Sequence, residues 1–372
     1  MKTIEINDFK ITSKITIAKQ PTTYDLQTDE GKVEDELRSV RKKLGKLQDT
    51  LYAHGKYAVL VCFQGMDTSG KDSLIREVFK DVNAQGVVVH SFKVPTELEL
   101  KHDYLWRHYI VLPSRGKFGV FNRTHYENVL VTRVHPGYIM GENIPDVHSV
   151  DDINEAFWNK RFDQINNFEK HLAESGTIIF KFYLNLSKQE QKNRLLRRLR
   201  KQEKNWKFSP GDLKERKLWD KYQTYYEDAI NRTSKPHAPW YTIPADDKPS
   251  ARYLVAKTMF DALSAYTDIK EPELDDDIKA NIELYKQDAK WANEGRSLQE
   301  KITEDAKNFN TYITFTALLL LVLFVGLSIV YRSKRKLSKI LAAQNKKLEV
   351  AKEMAEESSR LKTKFISNVS HE

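Results

Sequence analysis

The chain has 372 residues, of which 40% are hydrophobic and 11% aromatic, so its composition excludes an intrinsically disordered protein. The formal net charge of +9 fits an anionic partner, and it fits a merely basic soluble protein equally well. The single cysteine, Cys62, excludes a disulfide framework and indicates a reducing compartment. The amino terminus lacks the apolar core of a signal peptide, so we expect the first domain to stay in the cytoplasm.

Residues 1–55 are predicted as an amino-terminal extension with one helix, "EDELRSVRKKLGKLQDTLYAHG", which ends at Gly55. Between residues 56 and 270 short apolar strands alternate with helices, a pattern that predicts an α/β fold with a parallel sheet. The predicted strands are "YAVLVCF", "VVVHSF", "KFGVFN", "TIIFKFYL" and "WYTIPA". The helix after the fourth strand opens with Ser187 and Glu190 at the spacing of a capping box.

Three further segments follow the α/β region. Residues 271–308 are predicted as a helical linker. Residues 309–331 carry no charge over 23 positions, which is long enough for one transmembrane helix. Residues 332–372 begin with basic "RSKRKLSK" and continue as a charged helix with a weak coiled-coil seam. The sequence therefore predicts one membrane span followed by a cytoplasmic-type coiled-coil helix.

Gly65, Gly70 and Lys71 give the pattern G-x-x-x-x-G-K directly after a predicted strand and at the start of a helix. Glycines let backbone N–H groups turn toward an anion, and the lysine reaches phosphate oxygens, so the loop is predicted to bind phosphate. Asp72 stands where nucleotide-hydrolysing loops carry the Ser or Thr that ligates magnesium. We therefore expect Asp67 and Asp72 to hold magnesium or an acceptor, with simple helix capping by Asp72 as the alternative.

A second polar cluster follows the third strand in "FNRTHYENVLVTRVHP". Ligands of doubly wound sheets lie beyond the carboxyl ends of the strands, so this cluster is predicted to lie beside the loop. Arg123 is the candidate for stabilising charge on a transferring phosphoryl group. His125 and His135 are candidate general bases, although a hydrogen-bonding or surface role fits them better.

The stretch between Lys188 and Lys217 is crowded with basic residues. It is interpreted either as a solvated helix face or as a lid that closes over a polyanion. The lid candidates are Lys192, Arg194, Arg197, Arg198 and Lys207. Trp206 and Phe208 are too few aromatics for a base-stacking platform, so we expect no nucleic acid partner.

Several motifs together resemble the family-2 polyphosphate kinases over about residues 30–290: "GMDTSGKD", "SFKVPTELELKHDYLWR", "FNRTHYENVLVTRVHP", "NNFEKHL", "NWKFSPGDLKER" and "APWYTIPADDK". The resemblance implies a P-loop kinase-type doubly wound parallel sheet with a helical lid. It also implies phosphoryl transfer between inorganic polyphosphate and a nucleotide with Mg²⁺. The wording of "FNR.HYE" and "ADDK" is similar to the subgroup that phosphorylates nucleoside mono- and diphosphates, so AMP and ADP are the expected acceptors, with ATP as a product. We also expect a homo-oligomer.

The resemblance assigns catalysis to Asp67, Lys71 and Arg123, with Asp67 as the magnesium ligand. The implied phosphate-binding residues are Gly65, Gly70, Lys71, Arg123, Arg133, Arg194 and Arg198. The implied nucleotide-binding or supporting residues are Asp72, Asn122, Glu127, Asp103 and Asp247. Much of the family reads Phe-Asp-Arg where this chain has Phe121-Asn122-Arg123, which argues against a metal ligand at position 122.

The tail "RLKTKFISNVSHE" resembles the phosphoacceptor box of sensor histidine kinases, with His371 as the phosphorylated residue. The remaining parts of such a kinase do not follow, so we expect no autokinase activity. Basic residues after the apolar stretch favour that flank as cytoplasmic, which would place the phosphate-binding domain outside the cell. Since both halves cannot then operate as their families do, we expect a cytoplasmic kinase domain carrying a truncated fusion.

Two other functions compete with this interpretation. One is a membrane-anchored signalling component whose P-loop domain senses a polyanion or a nucleotide without transferring phosphate. The other is a conventional ATP-dependent nucleotide kinase with the same fold.

Overall fold

The computed structural model describes residue 2 and residues 4–369, except for the side chains at positions 6, 204, 207, 292, 293 and 361–369. The side chain of Lys207 and the whole of His371, both predicted to be functional, therefore lie outside the described residues. Residues up to Glu273 form one compact unit, and residues from Leu274 onward form a second.

Strands and helices alternate along the first unit. The strands are β1 (Ala58–Gln64), β2 (Val87–Ser91), β3 (Phe118–Asn122), β4 (Thr177–Asn185) and β5 (Trp240–Pro244). The helices are α1 (Glu30–His54), α2 (Lys71–Val78), α3 (Glu97–Leu100), α4 (Trp106–Tyr109), α5 (Glu127–Val134), α6 (Glu155–Glu174), α7 (Lys188–Arg200), α8 (Pro210–Lys217), α9 (Trp219–Thr233) and α10 (Lys248–Ser264). Short 3-10 helices cover Ile6–Asp8, Ile17–Lys19, Ala84–Gly86, Pro136–Glu142, Val150–Asp152 and Gln202–Lys207.

The five strands form one parallel sheet in the order β2-β3-β1-β4-β5. Every residue of β1 is buried, because this strand is central and both faces of the sheet are covered. Burial on both faces explains why β1 and β4 read as nearly continuous apolar runs. The five predicted strands and the parallel α/β fold are confirmed, with each strand end within one residue of the prediction.

The carboxyl ends of β1 and β4 define where a ligand can bind. The two strands are neighbours, but the chain leaves β1 toward β2 on one side of the sheet and leaves β4 toward β5 on the other. Their following loops therefore diverge and leave a crevice, the position at which doubly wound sheets bind ligands.

Helix α1 packs into the same hydrophobic core as the sheet, with Leu37 and Leu44 buried. It begins after Asp29, whose side chain accepts a hydrogen bond from the amide of residue 32, and it ends at Gly55 in the left-handed conformation. A Cβ atom on Gly45 would lie 2.5 Å from the carbonyl oxygen of Asp81. The helix therefore touches the turn after α2 directly through its backbone.

The second unit is dominated by α11 (Asp276–Val369). This one helix contains the whole apolar stretch, the predicted linker from residue 276 onward and the predicted charged tail up to residue 369. The side chains of the apolar stretch are exposed. Among the described residues α11 meets the length and composition of a membrane-spanning helix, a test that a signal sequence or a core helix of a soluble protein also passes.

We expect Gly45→Ala to destabilise the first unit by about 1–3 kcal/mol, because the added methyl group forces α1 away from the turn at Asp81. Denaturant unfolding followed by the fluorescence of buried Trp240 measures the change. Gly295→Ala is the matched control, since it also lies in a helix but its new methyl group meets open space. Equal midpoints for Gly45→Ala and the wild type would show that this backbone contact does not hold α1 in place.

Candidate active site

A cleft of about 790 Å³ lies at the carboxyl ends of the strands. Its walls come from the loop after β1, the ends of β2 and β3, and helices α2, α7 and α10. Among the side chains that the structure describes, nine basic residues line it: Lys71, Arg76, Lys93, Arg123, Arg194, Arg197, Arg198, Lys248 and Arg252. The described part of the lining adds three carboxylates, those of Asp67, Asp72 and Asp212. This excess of positive charge favours a polyanionic ligand.

The phosphate loop, residues 65–70, joins β1 to α2. Gly65 and Gly70 have φ angles of +149° and +103°, which favour glycine. A Cβ atom on Gly65 would lie 3.0 Å from the carbonyl oxygen of Leu184, so the loop packs directly on β4. Gly70 is also the N-cap of α2 and supplies no side-chain cap. The first amides of this helix are therefore left for an anion, as the glycine spacing predicts.

Lys71 points its ammonium back into the phosphate loop. Its Nζ donates to the carbonyl oxygen of Gly65 at 2.6 Å, and the residue is only 9% exposed. Burial, together with the nearby charge of Arg123, lowers the pKa of Lys71 to about 8, although Asp67 acts in the opposite direction. A phosphate group entering the loop would supply the counter-charge that this buried ammonium needs.

Arg123 lies beside the phosphate loop. It follows β3 with a φ angle of +60°, which is unusual for a residue with a side chain. Its guanidinium donates to Asp67 at 3.1 Å and pairs with Glu127 at 3.7 Å. The carboxylate of Glu127, with help from Asp67, raises the pKa of Arg123. The structure thus brings the three residues predicted for catalysis, Asp67, Lys71 and Arg123, into one cleft.

Asn122 connects β3 to the beginning of α2. Its Nδ2 donates to Oδ1 of Asp72 at 2.6 Å, so the amide positions a carboxylate in the cleft. An amide nitrogen donates hydrogen bonds and cannot ligate a cation. Asp72 therefore accepts from Asn122, and its side chain makes no capping hydrogen bond to the start of α2.

The donor set of the cleft fits Mg²⁺ delivered with a phosphate ligand. Among the described residues there is no group of three or more His, Cys, Asp or Glu side chains that could hold a metal. Asp67 and Asp72 nevertheless border the same cleft. Proteins usually bind Mg²⁺ through one or two carboxylates, with waters and substrate phosphates completing the octahedron.

A second pocket of about 460 Å³ adjoins the cleft and shares Lys93, Val94 and Arg123 with it. Its walls are largely apolar and aromatic, including Phe92 and Tyr104. Apolar walls with a few polar groups are typical of pockets for small organic ligands. A basic cleft and an apolar pocket therefore meet at Arg123.

Comparison with known proteins decides the family. The family model described as Polyphosphate kinase 2 (PPK2) matches residues 27–271, more than half of the chain. The protein belongs to the polyphosphate kinase 2 family. This confirms the resemblance drawn from the motifs of the first unit, and the matched region ends before α11.

Individual relatives agree with this assignment. The chain is 44% identical over 253 residues to the ADP-polyphosphate phosphotransferase of Rhodopseudomonas palustris, covering 68% of this chain and 86% of that protein. It is 47% identical over 227 residues to the AMP/ADP-polyphosphate phosphotransferase of Meiothermus ruber, covering 61% and 79% respectively. The crystal structure of polyphosphate kinase 2 from Arthrobacter aurescens superposes with a TM-score of 0.68 at 35% identity, over 75% of this chain and 95% of that one.

Arg133 was predicted to bind phosphate, and the structure places it outside the cleft lining of this polyphosphate kinase 2 family member. Its guanidinium donates to Asp228 at 2.6 Å and lies 4.3 Å from the centre of the Tyr225 ring. The residue is six positions beyond Glu127 on α5, nearly two turns along the helix axis. Arg133 therefore links α5 to α9 and does not line the cleft.

Asp103, Asp247 and Lys192 also lie outside the cleft lining. Asp103 accepts a hydrogen bond from the amide of residue 105, and Asp247 caps α10 by accepting from the amide of residue 250. Aspartate commonly makes such local bonds, which is why its presence near a motif is weak evidence for ligand binding. Lys192 is exposed on α7.

Three of the five predicted lid residues, Arg194, Arg197 and Arg198, border the cleft. Arg197 and Arg198 line the cleft, and Arg198 pairs with Asp212 of α8 at 3.2 Å. Arg194 also borders the cleft, but its guanidinium bonds to the backbone carbonyls of residues 68, 69, 245 and 246. His135 contacts Glu215 of α8 at 3.0 Å.

A fully buried polar network supports the segment that carries Arg123. Oε2 of Glu169 accepts from Nζ of Lys181 at 2.6 Å, and Oε1 accepts from the hydroxyl of Tyr126 at 2.7 Å. His125 contacts the same carboxylate at 3.1 Å, so it has a hydrogen-bonding role away from the cleft. Burial alone would raise the pKa of Glu169, but Lys181 and then His125 outweigh it, so the pKa is lowered.

The sequence-based prediction did not include four basic residues that line the cleft: Arg76, Lys93, Lys248 and Arg252. Two of them carried a usable signal, since Lys93 lies just after β2 and Lys248 follows β5 in "ADDK". Residues just beyond the carboxyl ends of parallel strands face the ligand crevice. Arg76 and Arg252 lie on α2 and α10, and only the packing of these helices reveals their position.

We expect Glu169→Gln to destabilise the protein by about 3–5 kcal/mol, because it leaves the ammonium of Lys181 buried without a counter-charge. Glu174→Gln on the same helix is the matched control, since its exposed pair with Lys170 contributes only about 0–1 kcal/mol. Because folding lowers the pKa of Glu169 from 4.5, its ionised form stabilises the fold above pH 4.5 and this contribution disappears as the pH falls through the lowered pKa. Denaturant midpoints at pH 7 and in acid measure both effects, and equal losses for the two variants would contradict the expectation.

Proposed function

We propose that the protein transfers a phosphoryl group between inorganic polyphosphate and AMP or ADP. The observation that carries the proposal is the convergence of Lys71, Asp67 and Arg123 in a strongly basic cleft that opens onto an apolar pocket. Membership of the polyphosphate kinase 2 family supports it, as do the named activities of the two phosphotransferase relatives.

The two cavities divide the substrates by chemistry. Polyphosphate is a chain of anions without apolar surface, which suits the basic cleft. The nucleoside of AMP or ADP has a flat base, which suits the pocket lined by Phe92 and Tyr104. In this arrangement the acceptor phosphate would meet the end of the polyphosphate chain near Arg123, which borders both cavities.

The transfer needs little from the protein beyond positioning and charge. An oxygen of the acceptor phosphate forms a bond to the terminal phosphorus, and the bond from that phosphorus to the bridging oxygen breaks as the shortened chain leaves. The second pKa of a phosphate monoester is about 6, so the attacking oxygen is already ionised at neutral pH and needs no general base. This agrees with the positions of His125 and His135, neither of which lines the cleft. Lys71 and Arg123 would stabilise the charge on the transferring group.

We propose Mg²⁺ as the cofactor, with Asp67 and Asp72 as the carboxylates that would hold it. When bound, it would neutralise charge on the polyphosphate oxygens. Asn122 would keep Asp72 in place through its hydrogen bond, and Arg123 would keep Asp67 in place.

We propose that residues 309–331 anchor the chain in a membrane, that the kinase unit is cytoplasmic, and that it assembles with other copies of itself. Phosphorylation of His371 stays a prediction. The sensor alternative is not favoured, because a site that only binds a polyanion does not require the lysine and arginine to meet beside an acceptor pocket.

The proposal predicts that the full chain forms ADP from AMP, and ATP from ADP, when polyphosphate and Mg²⁺ are supplied. Lys71→Ala should lower the rate by roughly 10²- to 10³-fold, because it removes a charged donor aimed at the transferring group. Lys170→Ala, an exposed lysine on α6, is the control and should leave the rate unchanged. Transfer to AMP from ATP at a rate that polyphosphate does not exceed would instead indicate a conventional nucleotide kinase.

The pKa of Lys71 predicts a pH dependence. The ammonium form binds phosphate, so kcat/KM for polyphosphate should fall as the pH rises through about 8, where Lys71 loses its proton in the free enzyme. Bound phosphate favours the charged form, so kcat should fall only at higher pH. Lys71→Arg keeps its charge and should lose the alkaline limb whatever its absolute rate. A kcat/KM that stays constant from pH 7 to well above 8 would contradict this role of the lysine.

A further inference from the structure

Three successive carbonyl groups of the phosphate loop turn toward α7. Nε2 of Gln191 donates to the carbonyl oxygen of Asp67 at 3.1 Å. One terminal nitrogen of Arg194 donates to the carbonyl oxygens of Thr68 and Ser69, at 3.1 and 2.9 Å. Two side chains on one turn of α7 therefore hold three neighbouring peptide groups of the loop.

Arg194 has no donor left for a substrate. Its Nε donates to Glu190 at 2.9 Å, and its second terminal nitrogen donates to the carbonyl oxygens of Ala245 and Asp246, at 2.6 and 2.8 Å. A guanidinium carries five N–H donors, and the five contacts with Glu190 and the four carbonyls account for all of them. The residue is also only 5% exposed.

These contacts fix the direction of the loop amides. In a planar trans peptide the N–H group points opposite to the C=O group, so carbonyls held at α7 direct the following amides away from it. The amide of Ser69 closes the loop on the carbonyl of Met66 at 3.0 Å. Thr68 has a φ angle of +67°, a conformation that persists in a non-glycine residue only when its surroundings hold it. The bond from Arg194 to the Thr68 carbonyl supplies such a constraint.

We propose that Gln191 and Arg194 are positioning residues that hold the phosphate loop with the amides of Thr68 and Gly70 toward the transferring phosphate, and that Arg194 does not bind polyphosphate. The inference rests on the proposed function, because the loop is taken to hold the phosphate that is transferred. It also replaces the lid role predicted for Arg194, whereas Arg197 and Arg198 keep theirs.

Gln191 also links the lid to the loop. Its Oε1 accepts a hydrogen bond from Arg216 of α8, and the same arginine nitrogen donates to the carbonyl oxygen of Lys188 at 2.9 Å. A continuous path of side chains therefore runs from α8 through α7 to the carbonyl of Asp67. Movement of α8 would reach the phosphate loop along this path.

The decisive experiment replaces arginine by lysine at two positions of α7 in the full chain. Lysine keeps the charge but cannot reproduce the planar five-donor fork. Arg194→Lys should therefore lose roughly 10- to 100-fold in kcat, close to the loss in Arg194→Ala, because the loop loses its alignment. Arg200 is exposed on the same helix and lies outside the cleft lining, so Arg200→Lys is the control and should stay near the wild type. Arg197→Ala removes a charge that faces the cleft and should raise KM for polyphosphate.

Chain length provides a second readout that a general loss of stability would not give. A residue that aligns the loop affects every donor alike, so the kcat loss in Arg194→Lys should be the same with inorganic tetraphosphate and with long polyphosphate. The effect of Arg197→Ala on KM should grow with chain length. Gln191→Glu keeps an acceptor for Arg216 but loses the donor to Asp67, and it should lower kcat in the same length-independent way.

The outcomes separate this inference from the proposed function. If the wild type transfers no phosphate from polyphosphate, the function itself is wrong. If the wild type is active and Arg194→Lys keeps its kcat, Arg194 does not align the loop. If the loss appears instead in KM and grows with chain length, Arg194 binds polyphosphate. Either result overturns the inference. Thermal unfolding of each variant identifies misfolding, and if Arg194→Ala does not fold, Arg194→Lys and Gln191→Glu still decide the question.

Discussion

The site depends on holding many cations close together in the absence of a polyanion. Two like charges 4 Å apart repel each other by about 4 kcal/mol at an effective dielectric constant of 20, so a cleft with nine basic residues needs internal compensation. Two of the cations have it from carboxylates: Arg123 meets Asp67 and Glu127, and Arg198 meets Asp212. Lys71 is buried against backbone oxygen instead and responds with a lowered pKa. Binding of polyphosphate then exchanges weak internal partners for a stronger external one.

The contacts that compensate the positive charge of the cleft differ in chemistry from the contacts that align the phosphate loop and Arg123. The cations that face the cleft pair with carboxylates that a substrate or Mg²⁺ can compete for. The groups that set the geometry bond to backbone carbonyls or lie beneath the surface, as Arg194 and the Glu169 network do. The Lys181–Glu169 ion pair of this network is removed from water completely, so loss of either partner leaves an uncompensated buried charge. It lies directly behind the segment that aims Arg123 at the phosphate loop.

The sequence predicted the features that depend on neighbouring residues. It failed where contacts between distant segments determine the role of a side chain. Continuous apolar runs located all five strands, and the spacing of Gly65, Gly70 and Lys71 located the loop. Arg194 and Arg133 could not be told from Arg198 by residue type, because the contacts that hold them include partners 126 and 95 positions away in the chain. Neither the strand order nor the packing of α1 into the core follows from local pattern. Lys181 was a missed signal, since a lysine within the apolar run "TIIFKFYL" must find a buried counter-charge.

A polymer of identical phosphates poses a recognition problem. The separation between cations that face the cleft and groups that fix the loop geometry solves it. Every internal phosphate looks alike, so exposed cations along the cleft bind the chain without distinguishing its positions, and each added contact increases affinity with length. Among the described residues that line the cleft, the loop and Lys71 at the start of α2 combine backbone amides with a buried ammonium, and this combination can define which phosphate is transferred. Reaction at the chain end therefore depends on the rigidity of residues 65–70, and that rigidity is provided by side chains of α7 that touch no substrate.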